Sequence, residues 1–112
     1  MFKIINLEDG FPTVEQARQK MLRELEFARR SGQKAVKLIH GYGSSGVGGE
    51  IRLAIGRQAQ EMLRRGELSR VIYGEDWSIA DSTAWSLIKQ YPALKNDADL
   101  GRKNRGITLV WF

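Results

Sequence analysis

The 112-residue chain contains no cysteine. Disulfides, thiolate zinc sites and iron–sulfur clusters are therefore excluded. It has one histidine, His40, so neither a paired-histidine zinc motif nor a three-histidine site can form. Only two prolines, Pro12 and Pro92, interrupt it. No apolar run approaches the roughly 20 residues that cross a membrane as a helix; stretches such as Ile107 to Phe112 are strand-sized. The first ten residues carry Lys3, Glu8 and Asp9, which argues against a signal peptide or a membrane span there. A cytoplasmic protein without membrane contact is expected. The residues imply no cofactor, and a carboxylate-held magnesium or calcium ion is the one metal chemistry the composition leaves open.

What is present suits one domain: 42% apolar and 28% charged residues can build one core at this length, with no room for two. The net charge is +5. The surplus is concentrated in residues 33–70, with seven basic residues against three acidic. Further on, Arg102, Lys103 and Arg105 crowd between Gly101 and Gly106. A polyanionic partner is one reading of this distribution, and a solvated basic surface is the other.

Strand-like and helix-like segments alternate. Phe2 to Leu7 is short, apolar and β-branched. Thr13 with Gln16 forms a capping-box signal, and Val14, Ala17, Met21, Leu25 and Ala28 follow on one helix face up to Gly32. Ala35 to Ile39 is nearly continuous in apolar residues, as a central strand would be. A second helix is predicted from about Glu50, with Ile51, Ile55, Ala59 and Met62 buried and Gly66 closing it. Arg70 to Tyr73 is a third strand. Asp81 or Ser82 can cap a short helix with Ala84, Trp85, Ile88 and Tyr91 on one face, stopped by Pro92. Residues 93–106 read as a loop and Ile107 to Phe112 as a last strand. The expected fold is α/β, a two-layer sandwich of order β-α-β-α-β-(α)-β on a four-stranded, mostly parallel sheet.

The segment between the second strand and the second helix holds Gly41, Gly43, Gly46, Gly48 and Gly49. Glycines let a ligand approach the backbone closely, and the helix that follows aims its free amides at the same place. Ser44, Ser45 and Arg52 add donors and charge. A phosphate cradle is the functional reading, and a plain connection is the bland one. Gly41, Gly43 and Gly46 match the dinucleotide fingerprint, but the acidic residue it requires is misplaced: Glu67 precedes the next strand and Glu75 comes too late. A P-loop is excluded, because Val47 and Gly48 stand where Lys and Ser or Thr should follow Gly46.

Ile39-His40-Gly41-Tyr42-Gly43, the glycine run and Ile51-Arg52 resemble the His-Gly-x-Gly motif of the small MutS-related (Smr) domain. Leu7, Gly10 and Thr13-Val14-Glu15-Gln16-Ala17 resemble that family's first strand and helix start. The resemblance covers roughly residues 1–76 and 106–112, which makes residues 77–98 look like a helical insertion in a single domain spanning 1–112. It implies a fold like the C-terminal domain of bacterial translation initiation factor three. It also implies nucleic-acid binding and, in several members, endonuclease nicking of DNA or RNA. Nuclease members usually carry Asp-x-His at the end of the first strand. Here that place reads Asn6-Leu7-Glu8-Asp9-Gly10, without histidine. The resemblance therefore implies binding, with nicking weak or lost.

His40 is the candidate catalytic residue, since an imidazole there can bind phosphate or protonate a leaving oxygen; the alternative is a histidine whose ring pins the turn. His40, Gly41, Tyr42, Gly43, Ser44, Ser45, Gly46, Arg52, Arg102, Lys103 and Arg105 form the candidate nucleic-acid and phosphate site. Tyr42 can stack on a base or pack on its loop. Trp77, Trp85 and Trp111 are expected to pack, and Glu8 and Asp9 to serve the turn. Two other functions stay open: a small enzyme or sensor that binds a nucleotide or phosphorylated small molecule at the glycine turn, and a protein-interaction module docking through the insertion helix.

Overall fold

The computed structural model of the chain describes residues 2–42 and 47–112. Helix α1 (Val14–Arg30) begins with the capping box its sequence announces. The Gln16 amide donates to Thr13 Oγ1 at 3.1 Å, and the Thr13 amide donates to the Gln16 side-chain oxygen at 2.9 Å. Two amides that the first turn leaves unpaired are thereby satisfied. The face Ala17, Met21, Leu25 and Ala28 is buried, as its spacing predicts. Helix α2 (Val47–Arg64) starts about three residues earlier than expected, and Ile51, Ile55, Ala59 and Met62 are its buried stripe.

The strands are β1 (Lys3–Asn6), β2 (Ala35–Ile39), β3 (Arg70–Tyr73) and β4 (Ile107–Trp111), and the sheet order is β1-β2-β4-β3. β1 runs parallel to β2, while β4 is antiparallel to both β2 and β3. Three strands therefore share one direction, and the last inserts between two of them in reverse. The register Asn6↔Ile39, Ile39↔Ile107 and Tyr73↔Thr108 brings the C-terminal ends of β1, β2 and β3 to one edge with the start of β4.

One face of the sheet packs on α1 and α2 through Ile5, Val36, Leu38 and Val110. The opposite face is covered by residues 74–106, which include helix α3 (Ser82–Gln90) and a 3-10 turn at Pro92–Asn96 within the expected loop. Asp81 caps α3, accepting from the Ala84 amide at 2.9 Å. The packed stripe of α3 is Ala84, Leu87 and Ile88, not the predicted row through Trp85 and Tyr91. Those two rings lie at the margin of the stripe and are each 39% exposed. Phe2, Trp77 and Trp111 already fill the aromatic part of this layer, with edge-on contacts from Phe2 to both tryptophans.

Lys37 points from β2 into this second layer and is buried. Its ammonium donates to Asp97 at 2.7 Å and to Asp99 at 2.6 Å. The indole N–H of Trp77 donates to the other Asp97 oxygen at 3.0 Å. Burial pulls the Lys37 pKa down, but the bonds and charges of both aspartates more than offset this, so it lies above the ordinary lysine value. Burial likewise pushes Asp99 up, and bonds from Lys37 and Asn104 carry it below the usual carboxylate value. Lys37→Met would leave two largely shielded carboxylates facing each other. It should cost about 3–5 kcal/mol, the usual penalty for an uncompensated buried charge; urea unfolding of the variant checks this.

Candidate functional site

The edge that gathers the strand ends also gathers most of the candidate residues. The Leu7 amide donates to the Ile39 carbonyl at 2.7 Å, and the His40 and Gly41 amides both donate to the Gly106 carbonyl, at 3.0 and 3.1 Å. These bonds tie the β1 exit, the start of the glycine turn and the basic loop together. Gly41 has a φ of +82°, and a Cβ there would run into the Glu8 carboxylate. The acidic Glu8, just past the end of β1, therefore lies over the start of the glycine turn. Gly43, Ser44, Ser45 and Gly46 lie outside the described residues.

His40 is buried beneath this edge, 1% exposed. Its Nδ1 is 2.9 Å from the Gly41 carbonyl and must donate, since a carbonyl can only accept. In the neutral ring Nε2 then accepts from the Thr108 hydroxyl at 2.8 Å. Burial lowers the pKa below the ordinary value; the bond to Gly41 and the Glu8 charge resist this, while the Arg52 charge adds to it. A neutral ring with both nitrogens engaged has no spare proton or lone pair for a substrate. This geometry belongs to a histidine that pins the turn.

The basic loop is held from below by a relay of polar groups. Asn104 Nδ2 donates to Asp99 at 3.0 Å, and Asn104 Oδ1 accepts from the Gly106 amide at 2.8 Å. The Asn104 carbonyl sits so close over Gly74 that any Cβ there would overlap it. The Lys37 cluster is thus connected, bond by bond, to the loop that carries Lys103 and Arg105. Arg105 lies over the Tyr42 ring, 6.0 Å from its centroid, and with Lys103 the pair borders a shallow depression. Tyr42 is 57% exposed. Arg102 is exposed and borders neither this depression nor the larger cleft described next.

A larger cleft of about 690 Å³ opens between α2 and the β3 side of the sheet. Arg52 and Arg105, both singled out in the sequence, border it, and His40 and Thr108 lie at its base. Arg57, Gln60, Arg64 and Tyr73 also line it and were not among the predicted site residues. The signal was present as Leu53, Arg57, Gln60 and Arg64, spaced along one helix face outside the buried stripe. Arg64 is bound to Glu61, whose carboxyl is lowered to about 2 chiefly by that hydrogen bond. Among the described residues, Arg52, Arg57 and Arg105 have no carboxylate partner, and the buried Nε of Arg52 has no hydrogen-bond partner at all. Glu75 is the other acidic residue lining the cleft.

Trp77 and Trp111 are packing residues, as expected, whereas Trp85 stands at the surface with Lys95 over its ring at 5.8 Å. Among the described residues no helix is long and apolar enough to cross a membrane, and no three His, Asp or Glu side chains are grouped to hold a metal ion.

No family model and no curated protein matches the chain. Among solved structures it is similar to the Smr domain of Thermus thermophilus MutS2, with 24% identity over 97% of this chain and 95% of that chain and a TM-score of 0.56. The chain therefore has the Smr-type α/β sandwich fold that its motifs led one to expect.

The lowered pKa of His40 sets a sign for pH dependence. Unfolded, the ring has its ordinary value of 6.5 and takes up a proton that the folded chain refuses. Stability should therefore rise with pH up to that value and be lost as pH falls below it. Urea midpoints at about pH 7.5 and about pH 5.5 measure the slope, which should flatten in His40→Gln.

Proposed function

We propose that this chain is a divergent Smr domain, one unit over residues 1–112, that holds the phosphodiester backbone of DNA or RNA across the edge where β1, β2 and β3 end. The observation that carries this reading is the convergence of Arg52, Arg105, Lys103 and Tyr42 at one edge, with arginines that no carboxylate neutralises among the described residues. An arginine donor left buried without a partner is costly, and a phosphate oxygen is the acceptor it suits. The exposed Tyr42 ring beside Arg105 adds a face on which a base can stack. The glycine turn contributes backbone approach in this reading, and Arg102 extends the basic track outward.

Cleavage has less support than binding. Cleavage of a phosphodiester without a metal needs one group to activate the attacking oxygen and one to protonate the leaving oxygen. His40 is buried, neutral and bonded at both nitrogens. Glu8 lies nearby but faces Gly41 from the surface side. His40 thus acts as a positioning residue for the turn, and nicking is weak or lost.

Binding should be salt-dependent, with log K falling by about 0.7–0.9 per phosphate contacted for each decade of salt. Lys103→Glu combined with Arg105→Glu should weaken binding to DNA and RNA and flatten that slope; fluorescence anisotropy at two salt concentrations reads both. Salt-independent binding, or an unchanged double variant, would remove the basic loop from the site. Incubation with end-labelled DNA and RNA, with and without chelator, should yield little or no product. Robust cleavage abolished by His40→Ala, with the variant still folded, would restore a catalytic role.

A further inference from the structure

We infer that the cleft between α2 and β3 seats a single unpaired nucleotide, so that the domain prefers single-stranded or frayed nucleic acid to continuous duplex. This rests on the nucleic-acid reading above and adds a second subsite to it.

The cleft exists for a topological reason. Two helices cover a four-stranded sheet, with α1 over β1 and β2 and α2 reaching the other half. β3 is the edge strand on that half, and the groove beside α2 opens over it. Gly56 stands in α2 where a side chain would otherwise fill that groove: an added Cβ would lie 3.7 Å from the Tyr73 ring. A glycine in a helix interior is unfavourable, and here it keeps the space open.

Besides Glu61, which is paired with Arg64 and Arg65, and Glu75, the lining has two characters. Tyr73, Ile107 and the 52%-exposed Leu53 offer an apolar floor and wall. Arg52, Arg57 and Arg105 supply cationic forks at the rim, while Gln60 donates to the Tyr73 hydroxyl at 2.9 Å and orients that ring. A flat apolar ligand that carries phosphate matches this pairing. A volume of about 690 Å³ is within the range of small-ligand sites. In a duplex the bases are stacked and paired inside, so only the backbone could reach the rim and the apolar floor would stay bare. An unpaired nucleotide can present both its base and its phosphate. Arg105 borders both this cleft and the depression beside Tyr42 and Lys103, so a strand held at the loop enters the cleft without a gap.

A free nucleotide has the same chemistry, and the experiment separates the two sources. Anisotropy titrations compare labelled oligothymidylate and oligouridylate, blunt duplexes and a labelled nucleoside monophosphate. The proteins are wild type, Gly56→Leu, Arg57→Glu and the Lys103→Glu, Arg105→Glu double variant. Leucine favours the helix over glycine and fills the groove; Arg57 is exposed, so its variant folds if Gly56→Leu does not. Wild type should prefer single strand to duplex by roughly tenfold, the scale of one base stacked on an aromatic ring. Gly56→Leu should abolish that preference and leave duplex affinity at the wild-type value, whereas Arg57→Glu should weaken single-strand binding more than duplex binding and so narrow the preference. The loop double variant should weaken both. Undiminished single-strand binding in folded Gly56→Leu and Arg57→Glu would overturn the cleft while leaving backbone binding at the loop intact. A monophosphate bound as tightly as the strand would overturn the strand assignment. Absence of salt-dependent binding to any nucleic acid would overturn the broader reading and the cleft with it.

Discussion

Lys37 projects from the central strand into a layer otherwise made of aromatic and aliphatic side chains, and the second half of the fold is arranged around that charge. An isolated ammonium in such a place would lose its proton or stay wet. Asp97 and Asp99 keep it charged, and they can do so only if the chain from Gly74 onward crosses beneath the sheet and returns. Trp77 contributes at the same point, filling the layer with its ring and donating its indole N–H to Asp97. Packing and charge pairing on this face are therefore one arrangement.

The same cluster governs the site. From Asp99 the bonds pass to Asn104 and from Asn104 to Gly106, whose carbonyl receives the His40 and Gly41 amides. In the proposed binding of a phosphate backbone, a flexible loop of three cations would lose entropy. Here the polar groups beneath the loop absorb much of that ordering during folding. Lys103 is held at a φ of +54°, uncommon for a lysine, which fits a loop whose shape is imposed from below. His40 belongs to the same scaffold, with one nitrogen on the turn and the other on β4.

The two faces of the domain thus have separate duties. The face under α1 and α2 is an aliphatic core whose edge opens into an arginine-rimmed cleft. The face under residues 74–106 packs Trp77 and Trp111 among aliphatic side chains around a buried ion cluster, and it holds the basic loop. Both meet at the edge where the parallel strands end, the usual ligand-facing end in open α/β sheets.

Much of this was legible in the sequence. The capping box at Thr13, the stripe of α1, the bounds of β3 and the fold class all follow from spacing and end chemistry that act over a few residues. Residue type and local charge also singled out Tyr42, Arg52, Lys103 and Arg105 as candidates, but that they meet at one edge is a property of the fold. The reversal of β4 was not legible. It follows from an excursion that leaves the sheet at Gly74 and returns against it at Asn104, so β4 must start at the edge where β3 ended. Nor could spacing show that α3 turns Leu87 rather than Trp85 inward, that His40 is sealed between Gly41 and Thr108, or that Arg57 and Tyr73 face one cleft. Short-range periodicity and composition were enough to set the elements, their order and the supply of cations. Which charges stay free and which are consumed depends on long-range packing. Lys37 and Asp97 stand sixty residues apart, and no local pattern marks them as partners until the sheet and its cover bring them within 2.7 Å.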